Sequence, residues 1–215
     1  MIDPSQVAHN VDVLRRRITE CGGTNVAVIA VTKTFEVDAI SAAVAAGCEG
    51  IGENYAQELL AKVAVGFPAI DVHFIGGIQS NKVRLLAGHV TMWQSVDSAS
   101  VITELGKRAP GASILLQIDT TNEPSKGGIP PAMVDHFRTT AESAGLVVRG
   151  LMTIGPTDGS TSEQEASFTM LRTLVDQHHL EHCSMGMSGD FETAVGCGST
   201  MVRIGSALFG ARPAR

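Results

Sequence analysis

The fold is decided by residues 26–55, VAVIAVTKTFEVDAISAAVAAGCEGIGENY. Two short apolar runs, Val26–Thr32 and Gly50–Tyr55, lie on either side of the alanine-rich segment Val37–Ala46. A continuous apolar run without strict alternation is typical of a strand that is buried on both faces of a parallel sheet. The alanine-rich segment predicts a helix, which Gly47 is suited to end. The stretch therefore predicts a strand–helix–strand unit.

The same alternation recurs along the rest of the chain. Apolar residues at three- and four-residue spacing predict helices over Pro131–Ala144 and Glu163–Gln177. Six further strand candidates follow the first two: Val72–Gln79, Thr91–Asp97, Ser113–Asp119, Val147–Ile154, Cys183–Met187 and Met201–Gly205. Eight strands separated by helices predict an α/β fold, a single (β/α)8 TIM-type barrel over residues 1–215 with an extra N-terminal helix at about residues 4–21. An open doubly wound sheet would give the same spacing, so both architectures remain open, with the barrel favoured.

Composition excludes several classes of protein. The chain has 215 residues, a formal net charge of −6 and 44% hydrophobic residues, which together argue against disorder. An acidic balance without a basic run argues against a nucleic-acid partner, because phosphate binding needs clustered Lys and Arg. No apolar run approaches the ~20 residues that span a bilayer, and the N-terminus lacks the order of a secretory signal. We therefore expect a cytoplasmic protein without a membrane partner.

The cysteines and one histidine-rich stretch are the candidates for a metal site. The four cysteines (Cys21, Cys48, Cys183 and Cys197) form no C-x-x-C pair, so neither a zinc ribbon nor a disulfide scaffold is expected. Residues 178–182, HHLEH, match the H-x-x-E-H pattern of inverted zinc proteases. They precede the seventh strand, on the side of the barrel opposite the predicted mouth. We therefore predict a solvated helix end and no metal site.

Chemistry in such a barrel belongs to the loops that follow the strands, because these converge on one mouth. Lys33 ends the wholly apolar first strand, where burial favours the neutral amine that can form a Schiff base. Small residues follow strands seven and eight, where backbone N–H groups and hydroxyls can bind a phosphate dianion: Ser188, Gly189, Gly205 and Ser206. A lysine and a phosphate pocket on one rim predict pyridoxal 5′-phosphate (PLP) as the cofactor, held as an internal aldimine.

Two residues within the strands complete this predicted pocket. Arg203 lies two residues before Gly205 in the same strand. Because side chains alternate between the two faces of a strand, both positions point to the same face. A buried arginine beneath the phosphate loop could reach the cofactor ring. Met152 lies at the end of the sixth strand and is predicted to contact the cofactor as well.

Six blocks of the sequence, in order, resemble the pyridoxal phosphate homeostasis proteins, the YggS/PROSC family. The blocks are VAVIAVTKT (26–34), GENYAQELLAK (52–62), HFIGGIQSNK (73–82), SVDS (95–98), MTIGP (152–156) and SMGMSGDFETAVGCGSTMVRIGSALFG (184–210). The resemblance covers nearly the whole chain. It implies a fold type III PLP-binding barrel, similar to the barrel domain of alanine racemase but without that enzyme's second domain.

The resemblance also implies individual roles. Lys33 matches the lysine that carries PLP, and Arg203 matches the arginine that faces the pyridine nitrogen. The phosphate would be bound by Ser188, Gly205 and Ser206. Asn54 in GENY and Asn81 in QSNK match rim residues close to the cofactor. The chain departs from the family at Gly77, where Pro is frequent, and at Asp119, where Asn is usual.

Three activities are compatible with these residues. The first is a PLP-binding regulator or carrier for vitamin B6 homeostasis, monomeric, without robust turnover and with no catalytic residue; apo forms of PLP-dependent enzymes would be its acceptors. The second is an amino-acid racemase, which needs an acid–base group on each face of the cofactor, with Tyr55 as the one tyrosine available. The third is an aldolase-type barrel whose lysine condenses directly with a keto substrate. We favour the first.

Overall fold

The computed structural model describes residues 2–123 and 126–211. Eight parallel strands form a closed barrel in chain order, in which the first strand pairs with both the second and the eighth. Their bounds are β1 Ala27–Val31, β2 Gly50–Glu53, β3 Asp71–Phe74, β4 Met92–Val96, β5 Ser113–Gln117, β6 Val147–Met152, β7 His182–Ser184 and β8 Met201–Ile204. The closing register places Ile29 opposite Arg203. The barrel is confirmed, and closure excludes the open sheet.

Helices follow the strands on the outside of the barrel. Their bounds are α1 Pro4–Glu20, α2 Val37–Ala45, α3 Ala56–Val65, α4 Ser80–Leu86, α5 Ala99–Arg108, α6 Val134–Ser143, α7 Thr161–Gln177, α8 Phe191–Gly196 and α9 Ser206–Phe209. The predicted helix at 131–144 begins as a 3-10 turn over Pro131–Met133. The helix predicted from Glu163 begins two residues earlier, because Ser160 and Glu163 form a reciprocal capping box.

The extra helix α1 lies outside the repeat, as predicted, and packs against α2, α8 and α9. Asp3 accepts a hydrogen bond from the Ser5 N–H and so caps its first turn. A buried stripe at helical spacing attaches it to the barrel: Val7, Val11, Leu14 and Ile18. In the part of the chain that the structure describes, no helix is both long and apolar enough to span a bilayer.

The third strand is shorter than the predicted run Val72–Gln79. Regular pairing ends at Phe74, and at Gly76 the chain crosses closely over the loop that follows β2. A Cβ atom on Gly76 would lie 2.2 Å from the Asn54 carbonyl oxygen, so only glycine permits this approach. The crossing brings the loops after β2 and β3 together at one edge of the mouth.

Candidate functional site

A cavity of about 260 Å³ opens at the carboxyl ends of the strands, between β1, β8 and the loop after β7. Six of the nine predicted cofactor-binding residues line it: Lys33, Ser188, Gly189, Arg203, Gly205 and Ser206. Val31, Ile75 and Met187 provide its apolar wall. The order of strands around the barrel therefore joins the lysine after the first strand to the small residues after the last two.

The Ser188 hydroxyl, in the loop after β7, lies at the start of α9. Ser188 Oγ accepts hydrogen bonds from the backbone N–H of Gly205 at 3.3 Å and of Ala207 at 3.2 Å. Asp190 accepts the Met187 N–H at 2.6 Å and fixes the turn on which Ser188 lies. Two backbone donors thus converge beside the cavity on a single oxygen, which is the arrangement that an anionic oxygen atom needs.

Arg203 forms the floor of the cavity and is only 4% exposed. Its guanidinium donates to Ser184 Oγ and to the Thr153 carbonyl oxygen, each at 2.7 Å. Among the described residues no carboxylate pairs with it. Burial lowers the pKa of Arg203 to about 10, while the negative charge of Asp190 opposes that shift. At neutral pH the cavity floor is therefore a buried cation without a paired anion, and it favours an acceptor or an anionic ligand.

A hydrogen-bonded chain leads from Arg203 through the interior of the barrel. Ser184 donates to Gln94 Oε1 at 2.7 Å, which joins strands β7 and β4 across the barrel. Gln94 Nε2 lies 2.6 Å from His73 Nδ1. Because Gln94 Oε1 is the acceptor for Ser184, the amide nitrogen donates to His73, and Nδ1 carries no proton. Desolvation lowers the pKa of His73 to about 4, so the ring is neutral at physiological pH.

Three predicted residues lie outside the cavity. Asn54 lines a neighbouring cavity of about 240 Å³, together with Tyr55 and Lys82, and within the described ranges its buried Oδ1 has no hydrogen-bond partner. Asn81 is exposed in the first turn of α4. Met152 is buried at the end of β6 with 1% exposure. Their contact with the cofactor stays a prediction.

One other prediction changes in the structure. Residues 178–182 are only partly a solvated helix end, because His182 begins β7 and the 15% exposed His178 side chain pairs with Asp135 at 3.1 Å. Over residues 2–123 and 126–211 no group of three or more His, Cys, Asp or Glu side chains could hold a metal.

Asp119, the departure from the family pattern, accepts the N–H groups of Thr121 and Asn122 and caps the loop after β5.

Sequence reasoning missed the interior chain of Ser184, Gln94 and His73. Each lies in a strand that reads as apolar, and a polar residue there is commonly assigned to the outer face. The available signal was alternation: Gln94 and Ser184 can share the inner face with Arg203 once the barrel is closed.

The fold and this cavity define a class of barrel that other proteins share. The protein-family model of the alanine racemase N-terminal domain matches residues 2–213 of this chain. The structure of alanine racemase from Corynebacterium glutamicum superposes with a TM-score of 0.78 at 21% identity, covering 99% of this chain and 62% of the racemase. At that identity the likeness establishes the fold, and the chain spans the barrel part of the longer enzyme.

Relatives of the same length narrow the class. The chain is 38% identical to the pyridoxal phosphate homeostasis protein of Haemophilus influenzae, with 96% of both chains covered. It therefore belongs to the pyridoxal phosphate homeostasis protein family. Among solved structures, a protein of unknown function from Bifidobacterium adolescentis has a TM-score of 0.89 at 30% identity, covering 97% of this chain and 98% of the other. PipY of Synechococcus elongatus, solved with PLP bound, has a TM-score of 0.81 at 32% identity, covering 95% and 100%.

Proposed function

We propose that this protein binds PLP in the cavity at the barrel mouth and takes part in PLP homeostasis, without robust catalytic turnover. One observation carries the proposal: a single cavity is surrounded by an amine, a pair of converging backbone donors and a buried cation that pairs with no carboxylate of residues 2–123 and 126–211. The donor set fits the coenzyme, which combines an aldehyde, a phosphate dianion and a ring nitrogen. The names of the relatives and the PLP-bound PipY structure support the same assignment.

Each residue has a distinct part in this proposal. Lys33 attaches the coenzyme covalently through its amine. Ser188, Gly205 and Ser206 bind the phosphate, which replaces Ser188 Oγ as the acceptor of the Gly205 and Ala207 N–H groups. Arg203 can only donate hydrogen bonds, so it favours a ring nitrogen that carries no proton. PLP supplies an aldehyde that condenses with amines and a ring that withdraws electrons when its nitrogen is protonated. An arginine partner therefore weakens the ring as an electron sink.

Binding is proposed rather than racemisation because of the position of the tyrosine. A racemase needs a second acid–base group facing Lys33 across the coenzyme. Tyr55 instead lines the neighbouring cavity and is 42% exposed. The racemases that share the fold are longer chains, of which this one covers 57–62%.

We propose further that the protein works in the cytoplasm as a monomer, with residues 1–215 forming one domain. The four cysteines are free thiols, which is consistent with a reducing compartment. Apo forms of PLP-dependent enzymes are the proposed partners, since the cavity lies at the open mouth of the barrel. Nucleic acid and membrane are not proposed partners.

Covalent attachment at Lys33 is tested by trapping. The protein is incubated with PLP, reduced with borohydride and digested, and the peptides are weighed. We expect a stoichiometric PLP-sized increment on the peptide that contains Lys33, and none in the Lys33→Ala variant. The matched control is Lys107→Ala, which removes an exposed lysine from α5 and should label as the wild type does. Equal labelling of the Lys33→Ala protein would contradict the assignment.

The shape of the phosphate corner is tested by adding one methyl group. In Gly205→Ala the new Cβ would lie 3.5 Å from Val31 Cβ, an ordinary contact, so the fold should be unaffected. The methyl group narrows the cavity beside the proposed phosphate site, and we expect PLP affinity to fall by about tenfold, in the range of overpacking effects. Gly88→Ala is the control, because its Cβ would meet nothing within 4 Å on an exposed turn. Titration by absorbance measures both, and unchanged affinity in Gly205→Ala would place the phosphate elsewhere.

A further inference from the structure

Helix α3 places two charged side chains behind the turn that carries Lys33. Glu58 and Lys62 are four residues apart and so lie on the same face of the helix. That face packs against the residues on either side of Lys33, on the outside of the barrel. Neither side chain lines the cavity, and each contacts a peptide group next to Lys33.

Lys62 holds the peptide group before Lys33. Its ammonium is buried, with the residue 6% exposed, and donates to the Thr32 carbonyl oxygen at 2.8 Å. The same ammonium lies 2.5 Å from Glu53 Oε1, which also accepts the Thr32 hydroxyl at 2.6 Å. Both the backbone and the side chain of Thr32 are therefore tied to one buried ion pair.

Glu58 holds the peptide group after Lys33. Its Oε2 accepts the Thr34 N–H at 2.9 Å. Thr34 has φ +69°, a left-handed conformation that costs a β-branched residue roughly 1–2 kcal/mol and persists only where surrounding contacts impose it. The hydrogen bond from Thr34 to Glu58 is one such contact.

The two planar peptide groups that flank a Cα atom fix its φ and ψ, and thereby the direction of its Cα–Cβ bond. Lys62 fixes the plane of Thr32–Lys33 and Glu58 fixes the plane of Lys33–Thr34. We propose that Glu58 and Lys62 are positioning residues that aim the Lys33 amine at the ligand aldehyde in the cavity, with Glu53 neutralising Lys62. This inference rests on the proposed function, since it concerns the formation of the covalent link.

The reaction that reports on positioning is the condensation itself. The neutral Lys33 amine adds to the aldehyde carbon, a carbon–nitrogen double bond forms, and the carbonyl oxygen leaves as water with the two amine protons. Its second-order rate is followed by the absorbance of the product. Pyridoxine 5′-phosphate, which has an alcohol in place of the aldehyde, measures binding in the same cavity without the condensation.

Three variants separate positioning from folding. Glu58→Ala removes the acceptor for the Thr34 N–H, whereas Glu58→Gln keeps an acceptor oxygen. The double variant Glu53→Met/Lys62→Met replaces the buried pair by apolar side chains of similar volume and removes the donor to Thr32 without leaving an unpaired charge. Glu104→Ala is the matched control, since Glu104 and Arg108 form an i, i+4 pair on α5.

We expect Glu58→Ala and the double variant to form the link about tenfold more slowly, the effect of losing one orienting hydrogen bond. Their affinity for pyridoxine 5′-phosphate should equal that of the wild type, and Glu58→Gln and Glu104→Ala should react at the wild-type rate. Wild-type rates in both Glu58→Ala and the double variant would overturn the inference. An equal loss of rate and of pyridoxine 5′-phosphate affinity would also overturn it, because that result describes a damaged cavity. Failure of the wild type to form any link would instead refute the proposed function itself.

Discussion

Replacing Lys62 alone by Met should lower the free energy of unfolding by about 3–5 kcal/mol, the cost of leaving one member of a buried ion pair without its partner. Glu53 has 0% exposure, and its Oε1 depends on Lys62 and the Thr32 hydroxyl. Burial already raises the pKa of Glu53, while Lys62 and Thr32 lower it. Without Lys62 the carboxylate would be charged and desolvated, or would take up a proton at the expense of folding.

The double variant separates this cost from lost packing. Glu53→Met/Lys62→Met should recover most of the stability, because the cost lies in the unpaired charge rather than in missing volume. Guanidinium unfolding at pH 7, followed by circular dichroism, compares the single and double variants. The control Arg108→Met breaks the exposed Arg108–Glu104 pair and should change stability little. A double variant less stable than Lys62→Met would show that the pair is net stabilising and that this account is wrong.

The sequence was sufficient to predict the barrel because its signal is local. Each strand is a short apolar run and each helix has its own spacing, as in residues 26–55. Position at a strand end was likewise enough to bring Lys33, Ser188 and Gly205 to one cavity. The same rule did not bring Asn54 and Asn81 there: Asn54 lines the neighbouring cavity, and Asn81 is exposed in the first turn of α4. The position of Asn54 involves the close approach of Gly76 to its carbonyl oxygen, a backbone contact between residues distant in sequence.

The residues behind Lys33 and Arg203 could not be predicted from the sequence, for a physical reason. Lys62 lies in an amphipathic helix, where a lysine normally extends to solvent, and nothing local shows that Glu53 and Thr32 are opposite it. Gln94 and Ser184 become partners only when strands four and seven face each other across a closed barrel. Both networks are products of tertiary closure, whereas periodicity describes one element at a time.

We expect the protein to be markedly less stable in mild acid than at neutral pH because of His73. Its pKa is lowered from 6.5 to about 4, mainly by desolvation; the charge of Asp71 opposes the shift and that of His182 adds to it. As the pH falls below 6.5, His73 becomes protonated in the unfolded chain, whereas in the folded protein it stays neutral until about pH 4. The contribution of His73 is therefore complete above pH 6.5 and is lost between 6.5 and 4, at up to about 1.4 kcal/mol per pH unit. Protonation of Nδ1 would also remove the acceptor for Gln94, at the far end of the chain that leads to Arg203.

The comparison that isolates this group is wild type against His73→Gln, whose amide oxygen can still accept from Gln94. Between pH 7 and pH 4.5 the wild type should lose about 2–3 kcal/mol more unfolding free energy than the variant. Subtracting the two curves removes the contribution of His182, whose pKa burial also lowers, because that residue is common to both proteins. Unfolding in urea at several pH values gives the curves. Parallel curves over this range would mean that His73 is protonated in the folded protein, and the hydrogen-bond direction from Gln94 to His73 would then have to be reversed.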